Sequence, residues 1–276
     1  MLVLPALLGA VQAWADATHV DAEFSLRHDN NVSRAEASRD QFSDNVAGLD
    51  LAASRSLMLT EHSGLQLRVG AHLREFARFD DLSHVSMDIG ALYRIQPVKS
   101  YTAPWFEVAA GWERFRFQGS DFRDGDQWTL DLGVGKRITD KLKVRAGYGW
   151  EYRNAEECEV FEWHRRTLRL SADFRVTPAL TLYGAASRTA GDQVFTATPA
   201  PAFRSAAKAI VDDPTFGARR AYRLGAEADV LELGWSYQLN PSQTLDVGVR
   251  RFDIEADGDH RYGGAELRAS WLYRFQ

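Results

Sequence analysis

His84 and Ser86 stand two residues apart, and Asp88 follows after another two. In a strand, residues i, i+2 and i+4 share one face, so imidazole, hydroxyl and carboxylate line up on one side. A base that close to a hydroxyl is the arrangement from which an activated nucleophile is made. A second group is acidic: Asp121, Asp124 and Asp126 in the run SDFRDGDQ. Carboxylates beside glycine suit Ca²⁺ or Mg²⁺, although Asp-Gly is first of all a turn signal. The third group is the largest. Arg68, Arg74, Asp88, Arg94, Glu107, Glu113, Asp131, Arg145, Glu151, Arg169, Asp173, Glu232, Arg250, Glu266 and Arg268 recur at alternate positions of apolar segments. Both signs are present in near balance. Buried charges need partners or water. Such a surface either zips shut as ion pairs between strands or lines a wet passage. A lining of one sign, which strong ion selectivity needs, is not what the sequence shows. No cofactor is expected. There is no phosphate-cradling glycine loop, and the 7 histidines fall at no metal-ligand spacing. The single cysteine, Cys158, cannot form an internal disulfide.

The elements that position these charges are strands. From Thr18 onward an apolar/polar alternation recurs roughly twelve times. The cleanest instance sets Leu142, Val144, Ala146, Tyr148, Trp150 and Tyr152 against Lys143, Arg145, Gly147, Gly149, Glu151 and Arg153. The ninth segment, 180–187, is short, and the tenth shows Leu231, Leu233, Trp235, Tyr237 and Leu239 on one face. Links alternate in length. Those at 28–42, 76–83, 116–126, 154–162, 190–220 and 254–262 are long; those at 61–64, 97–104, 139–141, 177–179 and 240–243 are tight. The prolines past the N-terminal stretch fall in links or at strand edges, where a missing N–H costs least. Within 190–220, the patch 206–211 suits a helical turn, and the link either folds inward as a constriction or stands out as a binding surface. With 276 residues and a mean hydropathy of −0.34, no run of about 18 apolar residues exists. A net charge of −5 argues against a nucleic-acid partner.

The last segment carries a resemblance. In GGAELRASWLYRFQ, alternate residues Ala265, Leu267, Ala269, Trp271, Tyr273 and Phe275 are apolar, and Glu266, Arg268, Ser270 and Arg274 oppose them. An aromatic, alternating terminal strand ending near a Phe resembles the C-terminal strand of Gram-negative outer-membrane β-barrel proteins. The resemblance implies that it closes the barrel on the first strand and is the signal read by the barrel assembly machinery. It also implies an all-β fold: one closed antiparallel transmembrane barrel of about 12 strands, with short periplasmic turns, long extracellular loops and both termini in the periplasm. Trp112, Trp128, Trp150, Tyr152, Trp235, Tyr237, Trp271, Tyr273 and Phe275 then fall at strand ends on the lipid side, where amphipathic rings suit the membrane–water interfaces. The N-terminus, an apolar stretch followed by Ala13-Trp14-Ala15, looks like a signal peptide over residues 1–15, leaving the barrel as 16–276.

Three functions are compatible with this reading. The first is a passive channel with a narrow, charge-balanced lumen for small polar solutes or an exported polymer. The second is a surface barrel whose loops bind lipopolysaccharide or a protein. Its acidic loops could share divalent ions with the lipid phosphates, and Arg34, Arg39, Arg123, Arg219 and Arg220 could meet those phosphates directly. The third is an outer-leaflet lipid hydrolase. The His-x-Ser order is similar to that of outer-membrane phospholipases and lipid A deacylases, which place the pair toward lipid. Here Val85, Met87 and Ile89 claim the lipid side, which puts His84 and Ser86 toward the lumen.

Overall fold

The computed structural model describes residues 17–275; the expected signal peptide lies outside them. Thirteen strands form one sheet. They are β1 (Ala17–Asp29), β2 (Asp44–Thr60), β3 (Ser63–Phe76), β4 (His84–Ile95), β5 (Trp105–Phe117), β6 (Gly125–Arg137) and β7 (Leu142–Ala155). There follow β8 (Trp163–Arg175), β9 (Leu180–Ala197), β10 (Ala209–Asp213), β11 (Arg219–Asn240), β12 (Gln243–Ala256) and β13 (His260–Phe275). β9 pairs directly with β11 from Tyr237↔Leu180 to Arg220↔Ala197, so β10 is no part of the wall. The other twelve strands close antiparallel, with β1 on β13 from Val20↔Phe275 to Asp29↔Glu266.

Closure follows from where the side chains point. Leu168 and Leu170 expose 60% and 61% of their surface, and Val69, Ile89, Leu130, Leu233 and Leu267 are likewise exposed. All lie on the outer face, in a belt far larger than water tolerates on a soluble surface. Hydrocarbon is the solvent that suits it. In hydrocarbon a bare strand edge is untenable, so the sheet must be a cylinder. No helix of the described residues is long and apolar enough to cross a membrane.

The aromatic residues fall into two rims. Trp112 lies across from Trp128, and Trp128 from Tyr152, near the long-loop end, with Trp150 one step inward on β7. Trp235 and Tyr237 lie beside Leu182 and Leu180, and Trp271, Tyr273 and Phe275 beside Phe24, Ala22 and Val20, at the tight-turn end. Tight turns are pinned by their own side chains. Thr139 Oγ1 accepts the Leu142 N–H (2.9 Å), Thr177 Oγ1 accepts the Leu180 N–H (3.0 Å), and Asn240 Oδ1 accepts the Ser242 N–H (2.9 Å).

Two expectations are corrected. The ninth strand runs to Ala197, ten residues past its expected end at 187 and well into the expected link 190–220, while the next barrel strand begins at Arg219, where that link was expected to end. Beyond the bilayer both faces of these strands meet polar groups or protein, so the alternation that reveals a lipid-facing strand fades. Of the patch 206–211 only Ala206 is helical. Helix α1 is Pro201–Ala206, begun by a proline whose fixed φ suits the first turn. Ile210 and Val211 belong to β10, which pairs with Arg219–Arg223 of β11. A left-handed Gly217 (φ 80°) lies in the return between these two strands.

Leu170→Arg, at mid-strand on the lipid face, is expected to destabilise the folded barrel by about 2–4 kcal/mol. Reversible urea unfolding in lipid vesicles measures it; an unchanged midpoint would show that this face does not meet hydrocarbon.

Candidate solute pathway and its closed mouth

The inner face is a wall of charges, and the antiparallel register pairs many of them. Directly opposed residues form Arg94–Glu107, Lys143–Asp173 (2.6 Å), Arg250–Glu266 (3.5 Å) and Arg274–Asp21 (2.8 Å). Arg165–Glu151 (3.4 Å) is a further directly opposed pair, and diagonal contacts add Arg68–Asp88 (4.0 Å), Arg74–Asp50 (2.7 Å) and Arg268–Asp246 (2.8 Å). Arg145 reaches Glu107 from two strands away (3.3 Å). Asp131, Arg169 and Glu232 line the same wall without a salt bridge among those of the described residues.

Two like-charged residues, Asp88 and Glu113, face each other across β4 and β5. Each is relieved by a third group. Ser86 Oγ donates to Glu113 (2.6 Å), and His72 stands between Asp88 (Nε2, 2.6 Å) and Asp50 (Nδ1, 2.5 Å). Ionised carboxylates only accept, so the bridge requires both ring nitrogens to donate.

In this arrangement His84 and Ser86 are engaged with other partners. His84 and Ser86 share the inner face but not a hydrogen bond: His84 Nδ1 meets the Leu82 carbonyl (2.9 Å) and its ring lies on Phe117 (4.7 Å). Ser86 is spent on Glu113, and neither faces lipid. Two of the acidic-loop residues are engaged as well. Asp124 accepts from Arg116 (2.9 Å) and the Phe117 N–H (2.7 Å), and Asp126 from Arg114 (2.6 Å). They do not converge with Asp121, and no group of three or more such ligands placed for a metal occurs among the described residues.

The outer mouth is where the sequence said least. The segment 198–218 folds inward. Phe203 of α1 packs on Phe195 (5.1 Å), Tyr222 (5.2 Å) and His260 (4.4 Å), over an apolar floor that includes Phe252, Ile254 and Tyr262. On the far side, Ala209 and Ala221 cluster with Val160 and Phe161 of the loop after β7. Phe216 then reaches Phe42 (5.7 Å) in the loop after β1 and Phe79 (4.9 Å) in the loop after β3. Arg123, from the loop after β5, closes the ring with Asp213 (2.6 Å) and Thr215 (3.0 Å). The flap therefore touches structure all round the rim.

Charges reinforce it. Asp40 accepts from the Thr198 N–H (3.0 Å), Thr198 Oγ1 (2.7 Å) and Arg219 Nε (2.9 Å). Arg34 and Arg220, like Arg123 and Arg219, are paired with carboxylates of their own chain. Burial pushes the Asp40 carboxyl up, but the Thr198 and Arg219 hydrogen bonds outweigh it and hold its pKa below the usual carboxylate range.

Exposure shows the consequence. Toward the tight turns, inward side chains meet solvent: Arg274 is 35% exposed, Arg145 32% and Arg94 29%. Toward the mouth Gln127 is 1% and Asp213 0% exposed. The side chains the flap covers are thus less exposed than the inward charges near the turns. Phe42, Phe79 and Phe216, which pack the flap against the loops, went unrecognised in the sequence. Their only signal was isolated phenylalanines in otherwise polar loops.

No protein-family model and no curated protein matches the chain. Solved structures do. The crystal structure of an outer-membrane channel from Pseudomonas putida F1 superposes with a TM-score of 0.66 at 12% identity, covering 97% of this chain and 100% of that one. The KdgM porin in complex with disordered oligogalacturonate gives a TM-score of 0.50 at 10% identity, covering 93% of this chain and 99% of that one. The fold is that of a porin-like outer-membrane β-barrel.

His72→Leu would leave Asp50 and Asp88 facing an apolar group, and is expected to cost about 1–3 kcal/mol in barrel stability, read from the urea midpoint. The folded pKa of Asp40 lies below its unfolded value. Its contribution to the mouth is therefore complete above an unfolded carboxylate pKa near ~4 and is lost as pH falls through the folded value. Protection of the Thr198 amide against hydrogen exchange should hold between roughly pH 7 and 5 and fall below about pH 4.

Proposed function

We propose that the chain is an outer-membrane channel through which small polar solutes pass passively, held shut at its outer mouth by the flap 198–218. The supporting observation is the direction of the ion pairs. Among the described residues, those of the wall join adjacent strands, or strands one apart, and run along it. None of these bridges the barrel axis. Below the flap the charged walls stay hydrated, which is how charges avoid the desolvation cost of burial. Pairing by register makes the lining nearly neutral, so weak ion selectivity is part of the proposal. The aromatic end of β13 is the segment we assign to recognition by the assembly machinery, and residues 1–15 to export.

Breaking the buried Arg123–Asp213 pair should unlatch the flap. Removing one partner of such a pair costs about 3–5 kcal/mol. In planar bilayers the native protein should open rarely, and Asp213→Ala should raise open probability by tenfold or more. Correctly folded Asp213→Ala that gives no discrete openings would overturn the channel reading.

A further inference from the structure

Toward the loop end the barrel holds a half-open cavity of about 230 Å³, lined by groups that include Arg27 of β1, Arg153 of β7, Phe117 of β5, Phe161 and Trp163. We propose that it is a binding site for a small organic monocarboxylate with a compact, flat apolar body. This rests on the channel reading and names the class of solute the channel would hold on its way through.

The cations carry the argument. Of the other arginines at the cavity, Arg34 is taken up by Asp29 (2.7 Å) and Glu266 (2.9 Å), and Arg123 by Asp213 (2.6 Å). Arg27 and Arg153 are different. Neither forms a salt bridge among those of the described residues, and the Nε of each is buried without a hydrogen-bond partner. Arg153 is 5% exposed, and its Nη2 donates to the Arg123 carbonyl (2.7 Å). A buried donor without an acceptor is costly, and more so on a charged group. The acidic side chain at the cavity, Asp29, has both oxygens engaged by Arg34. The cavity thus presents spare guanidinium donors and no competing free carboxylate.

The ring-bearing walls specify the rest of the ligand. The Arg153 guanidinium lies over Phe115 (4.3 Å) and Trp163 (4.8 Å), which fixes its plane and leaves its edge for an acceptor. A guanidinium edge matches a carboxylate in the two-pronged geometry that a point anion does not use. Phe117, Phe161 and Trp163 offer apolar surface that a bare inorganic anion would leave unmatched. The volume is below the roughly 300–1,000 Å³ typical of sites for drug-sized ligands, which limits the solute to a small acid.

Titration calorimetry on the folded, detergent-solubilised full chain tests this with three probes: benzoate, its neutral counterpart benzyl alcohol, and inorganic phosphate. Each is measured on the native protein and on Asp213→Ala, so that slow entry through a shut mouth is not read as an absent site. Benzoate should bind at one site, and the other two at least tenfold more weakly. Arg27→Gln, at a side chain whose buried Nε has no hydrogen-bond partner among the described residues, and Arg153→Gln should each weaken benzoate by about tenfold or more, while the exposed Arg251→Gln leaves it unchanged. Phosphate binding as tightly as benzoate would overturn the proposal in favour of a plain anion site, and equal binding of benzyl alcohol in favour of an apolar one. No benzoate binding in either background would also overturn it. Benzoate binding with silent bilayers would defeat the channel reading alone; conduction without benzoate binding would defeat the site alone.

Discussion

A peptide N–H left without an acceptor in hydrocarbon costs several kcal/mol, and this protein answers that constraint with the β1–β13 seam. Once Val20–Asp29 is paired with Phe275–Glu266 the sheet has no edge, and the rest is forced. A closed sheet has an outside and an inside, so every strand must alternate between lipid-compatible and water-compatible side chains. Irregular backbone is confined to the two ends. Any device that controls the lumen from the outside must then be made of loop, and that is where the flap is found.

The inner wall shows how a barrel of this width can hold many charges without filling itself. Register places opposite signs side by side along the wall, as in Lys143–Asp173 and Arg250–Glu266. Where register gives like signs, as at Asp88 and Glu113, an imidazole and a hydroxyl are drawn in. The mouth uses another chemistry. There the flap is seated on ring contacts among Phe42, Phe79 and Phe216 and on the apolar cluster around Phe195 and Tyr222. Its polar contacts, Arg123–Asp213 and Thr198–Asp40, fix position on that apolar seat.

How much of this the sequence discloses depends on whether two different solvents meet the two faces of a segment. β7, β8 and β13 lie between lipid and water, and their alternation is plain. The outer halves of β9 and β11 lie above the bilayer, where Arg188, Asp192 and Gln193 interrupt the pattern, and both strands look shorter than they are. The same limit applies to the pathway. Period two assigns each charge to a face, but it cannot say that Ser86 donates to Glu113 instead of joining His84, because partners across strands depend on register. The flap was least legible of all. Phe42, Phe79 and Phe216 are far apart in the chain, and only the circular closure of the wall brings their loops over one opening.

The central claim is that water reaches the interior from the tight-turn end while the mouth is closed. Ser171 lies on the inner face of β8 opposite Arg145, and Cys158 is the free thiol of the chain. In a Cys158→Ser background, Ser171→Cys in vesicles of one orientation can be challenged with a charged, membrane-impermeant thiol reagent from either side. The account predicts rapid reaction from the turn side and almost none from the loop side. Equal rates from both sides, or none from either, would contradict it.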